Sequence, residues 1–136
     1  MRRKNAGVTL LELMLVVMIL GLLTAIAVPG YRKYAIRASR ADAKAALLTM
    51  AGQLERCFTR FNSYDSDDGC AVASGVTSTD GKYIVNITDQ TSVGYSLEAV
   101  PQGGQADDEE CATFTLDSAS VKGVTGTEDP QRCWGR

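Results

Sequence analysis

An uninterrupted apolar run occupies the N-terminal part of the chain. From Val8 to Val28 there are 21 residues without Lys or Arg, and the one acidic residue among them is Glu12. A helix that rises about 1.5 Å per residue would cover roughly 31 Å over this length, which matches the hydrocarbon thickness of a bilayer. The pattern therefore predicts a membrane-spanning helix that carries one carboxylate.

The helical pattern continues to about Phe61. We expect a kink or a locally weak turn between Gly21 and Pro29, because Gly adds backbone freedom and Pro lacks an N–H donor. Beyond Tyr31 the sequence is rich in Ala, Leu, Lys and Arg, which favour helix. Apolar residues then recur at steps of three and four, as on a buried helix face: Leu47, Met50, Ala51, Leu54, Cys57, Phe58 and Phe61.

The rest of the chain alternates between polar breaks and short strand-like runs. Residues 62–79 are rich in Asn, Ser, Asp and Gly, which predicts a loop. Runs of β-branched and aromatic residues at 82–88, 94–100 and 111–117 predict antiparallel strands joined by polar hairpin loops. The fold class is therefore α+β: one long N-terminal helix, whose half from about Ala45 to Phe61 packs on a small antiparallel sheet.

Charge is distributed unevenly along the chain. Residues 1–44 contain eight basic and two acidic residues, whereas residues 45–136 contain six basic and fourteen acidic ones. Arg2, Arg3 and Lys4 precede the apolar run, and basic residues in this position tend to stay cytoplasmic, so the C-terminal part is predicted to be exported. Because that part is acidic, nucleic acid is not its default partner.

Four cysteines follow the apolar run: Cys57, Cys70, Cys111 and Cys133. An even number in a small exported domain favours disulfides. Zinc is the alternative, but the gaps of 13, 41 and 22 residues and the absence of His do not fit a structural zinc site. Three pairings are open, and we favour Cys57 with Cys70 and Cys111 with Cys133 because these bonds close short loops.

The sequence contains no recognisable catalytic constellation. Without His no Ser-His-Asp triad can form, and there is no Gly-rich phosphate loop. Asp65, Asp67 and Asp68 precede Gly69, but they lack the spacing and the terminal Glu of an EF-hand, so we expect a solvated acidic loop. The same is expected of the acidic run at 107–110. We therefore predict that the protein is not an enzyme and uses no cofactor or metal.

The start of the chain resembles the type IV prepilins. These have a short basic leader that ends in Gly, a run usually written FTLIEL, and Glu five residues after the cleavage point. The run Gly7-Val8-Thr9-Leu10-Leu11-Glu12-Leu13 fits, with Val8 where Phe is usual. Gly21 and Pro29 stand where pilins often have helix breakers. Cys111 followed by FTLD, a Gly-rich turn and Cys133-Trp134 is similar to the C-terminal end of PilE-type minor pilins.

This resemblance implies a division of the chain. Residues 1–7 would be the prepilin leader, residues 8–30 the transmembrane and filament-core half of the helix, and residues 31–136 the exported headpiece with the amphipathic half of the helix and the sheet. A prepilin peptidase, which is a membrane aspartic protease, would cleave after Gly7, and the new amine of Val8 would be N-methylated. Glu12 would accept the N-terminal amine of a neighbouring subunit during assembly, a use of buried charge that is a hypothesis here.

The resemblance also implies a function. The protein would be a structural subunit of a type IV pilus, of the minor class, with roles in twitching motility, adhesion or DNA uptake. It would be a single-pass protein of the bacterial inner membrane before assembly and extracellular afterwards. Its partners would be other pilin subunits, prepilin peptidase and the inner-membrane assembly machinery. The alternatives are a pilus-borne receptor or adhesin for DNA or a surface, and a pseudopilin of type II secretion.

Two other features leave alternatives open. Residues 1–28 are also compatible with a cleavable secretory signal that ends at Ala25-Ile26-Ala27, or with a plain signal anchor, although secretory signals have apolar regions of about 7 to 15 residues. A basic segment then follows the apolar run, and we expect interfacial anchors or salt-bridge donors inside the filament, with DNA binding as the less favoured alternative. This segment consists of Arg32, Lys33, Arg37, Arg40 and Lys44.

Overall fold

The computed structural model describes residues 7–135. The predicted leader residues Arg2, Arg3 and Lys4 lie outside the described residues. The chain divides into two compact units, of which the first ends at Ala35 and the second begins at Ile36.

The first unit consists of the apolar half of helix α1, Leu10–Phe61. By length and composition this helix could cross a membrane, and none of its most apolar stretch is buried. The helix is continuous through Gly21 and Pro29, so neither residue ends it. The weakened turn that we expect between them stays a prediction.

The second half of α1 supplies one wall of the hydrophobic core. Leu47 and Leu54 are fully buried, and Met50 and Ala51 are nearly so, as the helical spacing predicted. Phe61 is an exception, because its side chain is half-exposed at the last position of the helix. Its ring packs on the backbone of Gly69, where an added Cβ would lie 3.2 Å from the ring.

The other wall is an antiparallel sheet of five strands, which are neighbours in chain order. The predicted strands correspond to the second, third and fourth of these five strands, but residues 111–113 form a turn, in which Ala112 has a φ of 50°. Two short strands at the sheet edges were not predicted, because two or three residues show no periodicity. The strands are β1 Val76–Thr77, β2 Tyr83–Gln90, β3 Tyr95–Pro101, β4 Phe114–Asp117 and β5 Lys122–Val124.

Alternate residues of the three central strands face the helix. The register aligns Val85 with Ala99 and Leu97 with Leu116, so their side chains share one face. These positions are at most 5% exposed, and with α1 they form one core. The inward-facing residues are Tyr83, Val85, Tyr95, Leu97, Ala99, Phe114 and Leu116.

Two short helices, neither of which the sequence predicted, complete the second unit. A 3₁₀ helix, Gly103–Asp107, follows β3, and helix α2, Pro130–Trp134, ends the described chain. Asp129 caps α2 by accepting a hydrogen bond from the backbone N–H of Gln131 at 2.7 Å. The indole N–H of Trp134 donates to the carbonyl of Gly123 at 3.0 Å, so α2 covers the outer side of β5.

The cysteines come together in the favoured pairs. Cys111 and Cys133 form a disulfide with Cα atoms 5.8 Å apart, which confirms that prediction. Cys57 and Cys70 face each other with Cα atoms 5.4 Å apart, a separation suited to a bond, and their bond stays a prediction. The side-chain amide of Gln90 holds the intervening loop by donating to the carbonyls of Tyr64 at 2.6 Å and Cys70 at 3.0 Å.

Candidate functional site

The N-terminal site is organised by a helix cap. The hydroxyl of Thr9 accepts a hydrogen bond from the backbone N–H of Glu12 at 3.2 Å, and its carbonyl accepts from Leu13. Thr and Glu at this spacing are the signature of a capping box, in which both residues stabilise the first helical turn. The carboxylate of Glu12 also lies where the helix dipole favours negative charge. Sequence reasoning missed this local role, although the Thr-x-x-Glu spacing signals it.

The Glu12 side chain is nevertheless free for a further partner. It is exposed, and no cation pairs with it among residues 7–135. Gly7 and Val8 precede the first helical residue and are also exposed. The site therefore combines an accessible peptide bond with an unpaired carboxylate one helical turn later.

The predicted helix breakers perturb the hydrogen bonds of α1 without ending it. Because Pro29 has no N–H, the carbonyl of Ala25 loses its usual helical donor. The hydroxyl of Thr24 donates to the carbonyls of Leu20 at 2.9 Å and Gly21 at 3.0 Å. The one hydroxyl in this part of the apolar run is thus satisfied by its own helix, which lowers the cost of placing it in hydrocarbon.

The basic segment divides between the two units. Arg32 and Lys33 are exposed in the first unit, whereas three basic side chains of the second unit bind within it. Arg40 forms a bidentate pair with Asp108, with N–O distances of 2.8 and 2.7 Å, and also contacts Glu110 at 2.8 Å. Arg37 contacts Glu110 at 3.0 Å. Lys44 donates to the backbone carbonyl of Trp134 at 3.2 Å, at the C-terminal end of α2.

This network corrects one expectation and weighs against one alternative. The acidic run at 107–110 is not wholly a solvated loop, because the Asp108 side chain is only 1% exposed and holds Arg40. DNA binding along the whole basic segment is also disfavoured, because the Arg40 side chain is only 12% exposed and is already paired. The hydrogen bonds that Arg40 donates to Asp108 raise the pKa of Arg40, and the hydrogen bonds that Arg40 and Arg37 donate to Glu110 lower the pKa of Glu110 to about 2.

Glu110 should therefore stay ionised well into acid. Its pKa is depressed from an ordinary value of 4.5, so its contribution to stability is present above pH 4.5 and is lost as the pH falls towards 2. An NMR titration of the Glu110 carboxyl should give a midpoint near 2. In the Arg37→Gln variant the midpoint should rise but stay below the ordinary value, because Arg40 remains. A midpoint near 4.5 in the unmodified protein would contradict the pairing.

A buried carboxylate on α1 fixes the turn before β2. Asp42 is 7% exposed and accepts hydrogen bonds from the hydroxyl of Ser78 at 2.5 Å and the backbone N–H of Asp80 at 3.2 Å. The Ser78 hydroxyl accepts from the backbone N–H of Tyr83 at 2.9 Å. Sequence reasoning did not find Asp42, because its partners lie more than thirty-five residues away, at separations of 36 and 38.

At the other end of the core, Glu55 accepts hydrogen bonds from two tyrosines. The distances are 3.1 Å to the hydroxyl of Tyr64 and 3.0 Å to that of Tyr95. Burial, followed by the hydrogen bond to Glu55, raises the pKa of both phenols. Phe58 stacks on Tyr64 with centroids 4.5 Å apart, so the loop after α1 is held against the helix by several contacts.

Three exposed basic side chains of the second unit have no hydrogen-bond or ion-pair partner among residues 7–135. These are Arg56 and Arg60, which are four residues apart on α1, and Lys82 at the start of β2. Lys122 instead lies 5.3 Å from the ring centroid of Trp134. In the same range no three His, Cys, Asp or Glu residues are grouped as metal ligands. The unpaired cations are the residues best placed to contact phosphate.

Two family models match the chain. Residues 2–28 match the prokaryotic N-terminal methylation motif. Residues 29–115 match the model described as type IV minor pilin ComP, DNA uptake sequence receptor. The two matches join at the end of the apolar run.

Individual relatives agree with these models. The chain is 32% identical over 91 residues to the type IV major pilin protein PilE1 of Neisseria gonorrhoeae, an alignment that spans 65% of this chain but only 41% of that protein. It is 28% identical to the type IV major fimbrial protein FimA of Dichelobacter nodosus, over 98% of this chain and 89% of FimA. The fold is similar to that of the non-core minor pilin PilV of Neisseria meningitidis, with a TM-score of 0.53 and 19% identity over 71% of this chain and 92% of PilV.

Proposed function

The chain belongs to the family of type IV minor pilins described as ComP, DNA uptake sequence receptor, and we propose that it is cleaved after Gly7 and enters a pilus through its N-terminal helix. As a type IV pilin it is a structural subunit that assembles with other pilin subunits, anchored in a membrane first and borne on the pilus afterwards. The proposal adds the processing enzyme, the modified residue and the assembly contact.

Processing by a prepilin peptidase is supported by the N-terminal methylation motif and by the local structure. The motif covers residues 2–28, and Gly7 and Val8 lie exposed before the first helical residue. Cleavage there would leave Val8 as the N-terminal residue and Thr9 still able to cap α1. Removal of the leader therefore costs the helix none of its capping hydrogen bonds.

Mass spectrometry of the N terminus of the protein from its native cells should find N-methylated Val8. A secretory signal cleaved after Ala27 would instead give Val28, and a plain signal anchor would keep the leader. Gly7→Leu is expected to block cleavage, because the family motif ends its leader in glycine, whereas Ala27→Leu should leave cleavage unchanged. An N terminus at Val28, or an intact leader in mature protein, would contradict the proposal.

We propose that residues 8–30 span the inner membrane before assembly and lie in the filament core afterwards, with residues 31–136 as the exported headpiece. The exposed apolar surface of the first unit supports this, because none of its most apolar stretch is buried and it needs lipid or neighbouring helices around it. Inner-membrane assembly proteins would move the subunit between these environments. The chain would be a substrate of the peptidase with no catalysis of its own.

Glu12 carries the assembly proposal. Its carboxylate is unpaired among the described residues and lies near the start of an apolar segment, where an unpaired charge costs at most about 2.5 to 3.5 kcal/mol, the value for the helix centre. The N-terminal amine of a neighbouring subunit would neutralise it as the helices dock. The same pairing would satisfy two charges at once and would fix the axial register between subunits.

A second function, DNA binding by the headpiece, is favoured by the description of the matching family. The DNA-binding residues would not be the whole basic segment, because Arg37 and Arg40 already bind Asp108 and Glu110. Arg56 and Arg60 are exposed, unpaired among the described residues and separated by one helical turn, so both can face one phosphate backbone. The acidic remainder of the headpiece would limit nonspecific affinity.

The full chain in neutral detergent micelles should bind duplex DNA with an affinity that falls as salt rises. Each phosphate contact contributes about 0.9 to the slope of log affinity against log salt, so Arg56→Gln/Arg60→Gln should lower that slope by about 1.8. The matched control is Arg32→Gln/Lys33→Gln, which removes the same charge from the first unit and should change the slope little. Salt-independent binding, or an effect of the control pair alone, would contradict this assignment.

A further inference from the structure

One turn of α1 consists entirely of aromatic and basic residues. Tyr31, Arg32, Lys33 and Tyr34, which we call the interfacial turn, are consecutive helical residues, and all four are exposed. Tyr31 and Tyr34 are 73% and 72% exposed. Because successive helical residues point about 100° apart, these four side chains cover the whole circumference of the helix.

No carboxylate among residues 7–135 pairs with the two basic residues of this turn. The ion pairs of the described chain involve Arg37, Arg40 and Arg132. The charge of Arg32 and Lys33 is therefore available to an external anion. While the subunit is in the membrane, such an anion must lie at the same depth in the bilayer as the interfacial turn.

The depth follows from the helix rise. At about 1.5 Å per residue, the interfacial turn lies roughly 4.5 to 9 Å beyond Val28, the last residue of the apolar run. The polar headgroup layer of a bilayer is about 5 to 7 Å thick on each side of the hydrocarbon. If residues 8–28 span the hydrocarbon, the turn lies among the lipid phosphates.

The side chains suit anionic phospholipids in particular. Tyrosine rings favour the interface, where the ring contacts acyl chains and the hydroxyl meets water and phosphate. A guanidinium and an ammonium beside them can bind phosphodiester oxygens, and a net-negative headgroup adds attraction that a zwitterionic one lacks. The turn therefore has both the position and the charge to select lipids.

We propose that the interfacial turn binds anionic phospholipid headgroups, such as phosphatidylglycerol, in the leaflet on the exported side before the subunit is assembled. This inference rests on the proposed membrane span of residues 8–30, in which the apolar run ends at Val28. Lipid binding by the interfacial turn would have to be broken when the subunit is extracted from the membrane. The proposed neutralisation of Glu12 would accompany entry into the filament. The subunit would thus leave the bilayer by exchanging lipid phosphates for protein contacts.

The test uses the full chain reconstituted into phosphatidylcholine vesicles that contain spin-labelled phosphatidylglycerol or spin-labelled phosphatidylcholine. Electron spin resonance measures the fraction of each lipid that the protein immobilises. Each basic residue near an anionic headgroup favours binding by about fivefold, so we expect the protein to prefer phosphatidylglycerol by about fivefold or more. Arg32→Gln/Lys33→Gln should abolish this preference, and high salt should reduce it.

The matched control is Lys122→Gln/Arg132→Gln, which removes the same charge from the headpiece and should keep the lipid preference. Equal binding of both lipids by the unmodified chain, or equal loss in both variants, would overturn the inference. The inference would also fail if Arg32 and Lys33 became cross-linked to a second copy of the chain in the vesicles. Their partners would then be carboxylates of the protein and not lipid headgroups. Alkaline carbonate extraction tests the membrane span separately from lipid binding. If carbonate releases the chain from the vesicles, the proposed span is refuted as well.

Discussion

Glu12→Gln should lower the incorporation of this subunit into pili roughly tenfold or more, while its insertion into the membrane and its cleavage after Gly7 stay at the level of the unmodified protein. If Glu12 pairs with a neighbour's amine as we propose, the substitution would leave that amine without its carboxylate inside the filament core. An uncompensated buried charge of this kind costs several kcal/mol, and each 1.4 kcal/mol is a factor of ten. The measurement is the amount of subunit in sheared pili relative to the amount in membranes.

Gln is the informative replacement because Glu12 occupies a capping position in the structure in addition to its proposed role in assembly. Its backbone N–H donates to the Thr9 hydroxyl, and its position in the capping box accepts Gln as well as Glu. Glu12→Gln therefore removes the charge and keeps the cap. Glu12→Ala removes both the charge and the side chain of the capping box, so it should lower incorporation at least as much.

Thr9→Ala is the matched control. It removes the side-chain acceptor of the cap at a cost of about 1 kcal/mol of helix stability, and it leaves the Glu12 carboxylate in place. Incorporation should stay within a few-fold of the unmodified protein. If Thr9→Ala were as defective as Glu12→Gln, the defect would lie in the helix cap. Normal incorporation of Glu12→Gln would sink the charge-pairing proposal.

The features that the sequence predicts correctly are those that depend on the spacing of apolar residues within a single helix or strand. The apolar run of residues 8–28 and the core face through Leu47 and Leu54 follow from spacing alone, and both occur in the structure. Strands β2, β3 and β4 were found because each has enough residues to alternate. Phe61 was assigned to the core by the same spacing, but at the end of its helix it packs on Gly69.

The missed features depend on the tertiary arrangement. Arg40 and Asp108 are 68 positions apart, and nothing in the sequence around either residue indicates that the two side chains form a pair. The sequence suggested a basic segment open to partners, whereas the fold uses its second half to hold the turn after the 3₁₀ helix. Thr9 and Glu12 differ, because their spacing is local and the capping box could have been predicted.

Arg40→Met is expected to destabilise the second unit by about 3 kcal/mol. The Asp108 side chain is 1% exposed, so loss of its bidentate partner leaves a carboxylate buried without compensation. The methionine keeps the length and apolar stem of the arginine, which confines the loss to charge and hydrogen bonds. Urea unfolding of the full chain in micelles, followed by the near-ultraviolet circular dichroism of Trp134, measures the effect.

Two variants separate the buried pair from a general effect of charge. Arg37→Met removes an exposed partner of Glu110 and should cost less than about 1 kcal/mol. Adding Asp108→Asn to Arg40→Met should recover a large part of the loss, because the amide is neutral and its oxygen can still accept from the backbone N–H of Cys111, 3.2 Å from Asp108. Two results would show that the Arg40–Asp108 pair does not hold this turn on the helix. One is a loss of unfolding free energy in Arg40→Met no greater than that in Arg37→Met, and the other is no recovery of unfolding free energy in the double variant.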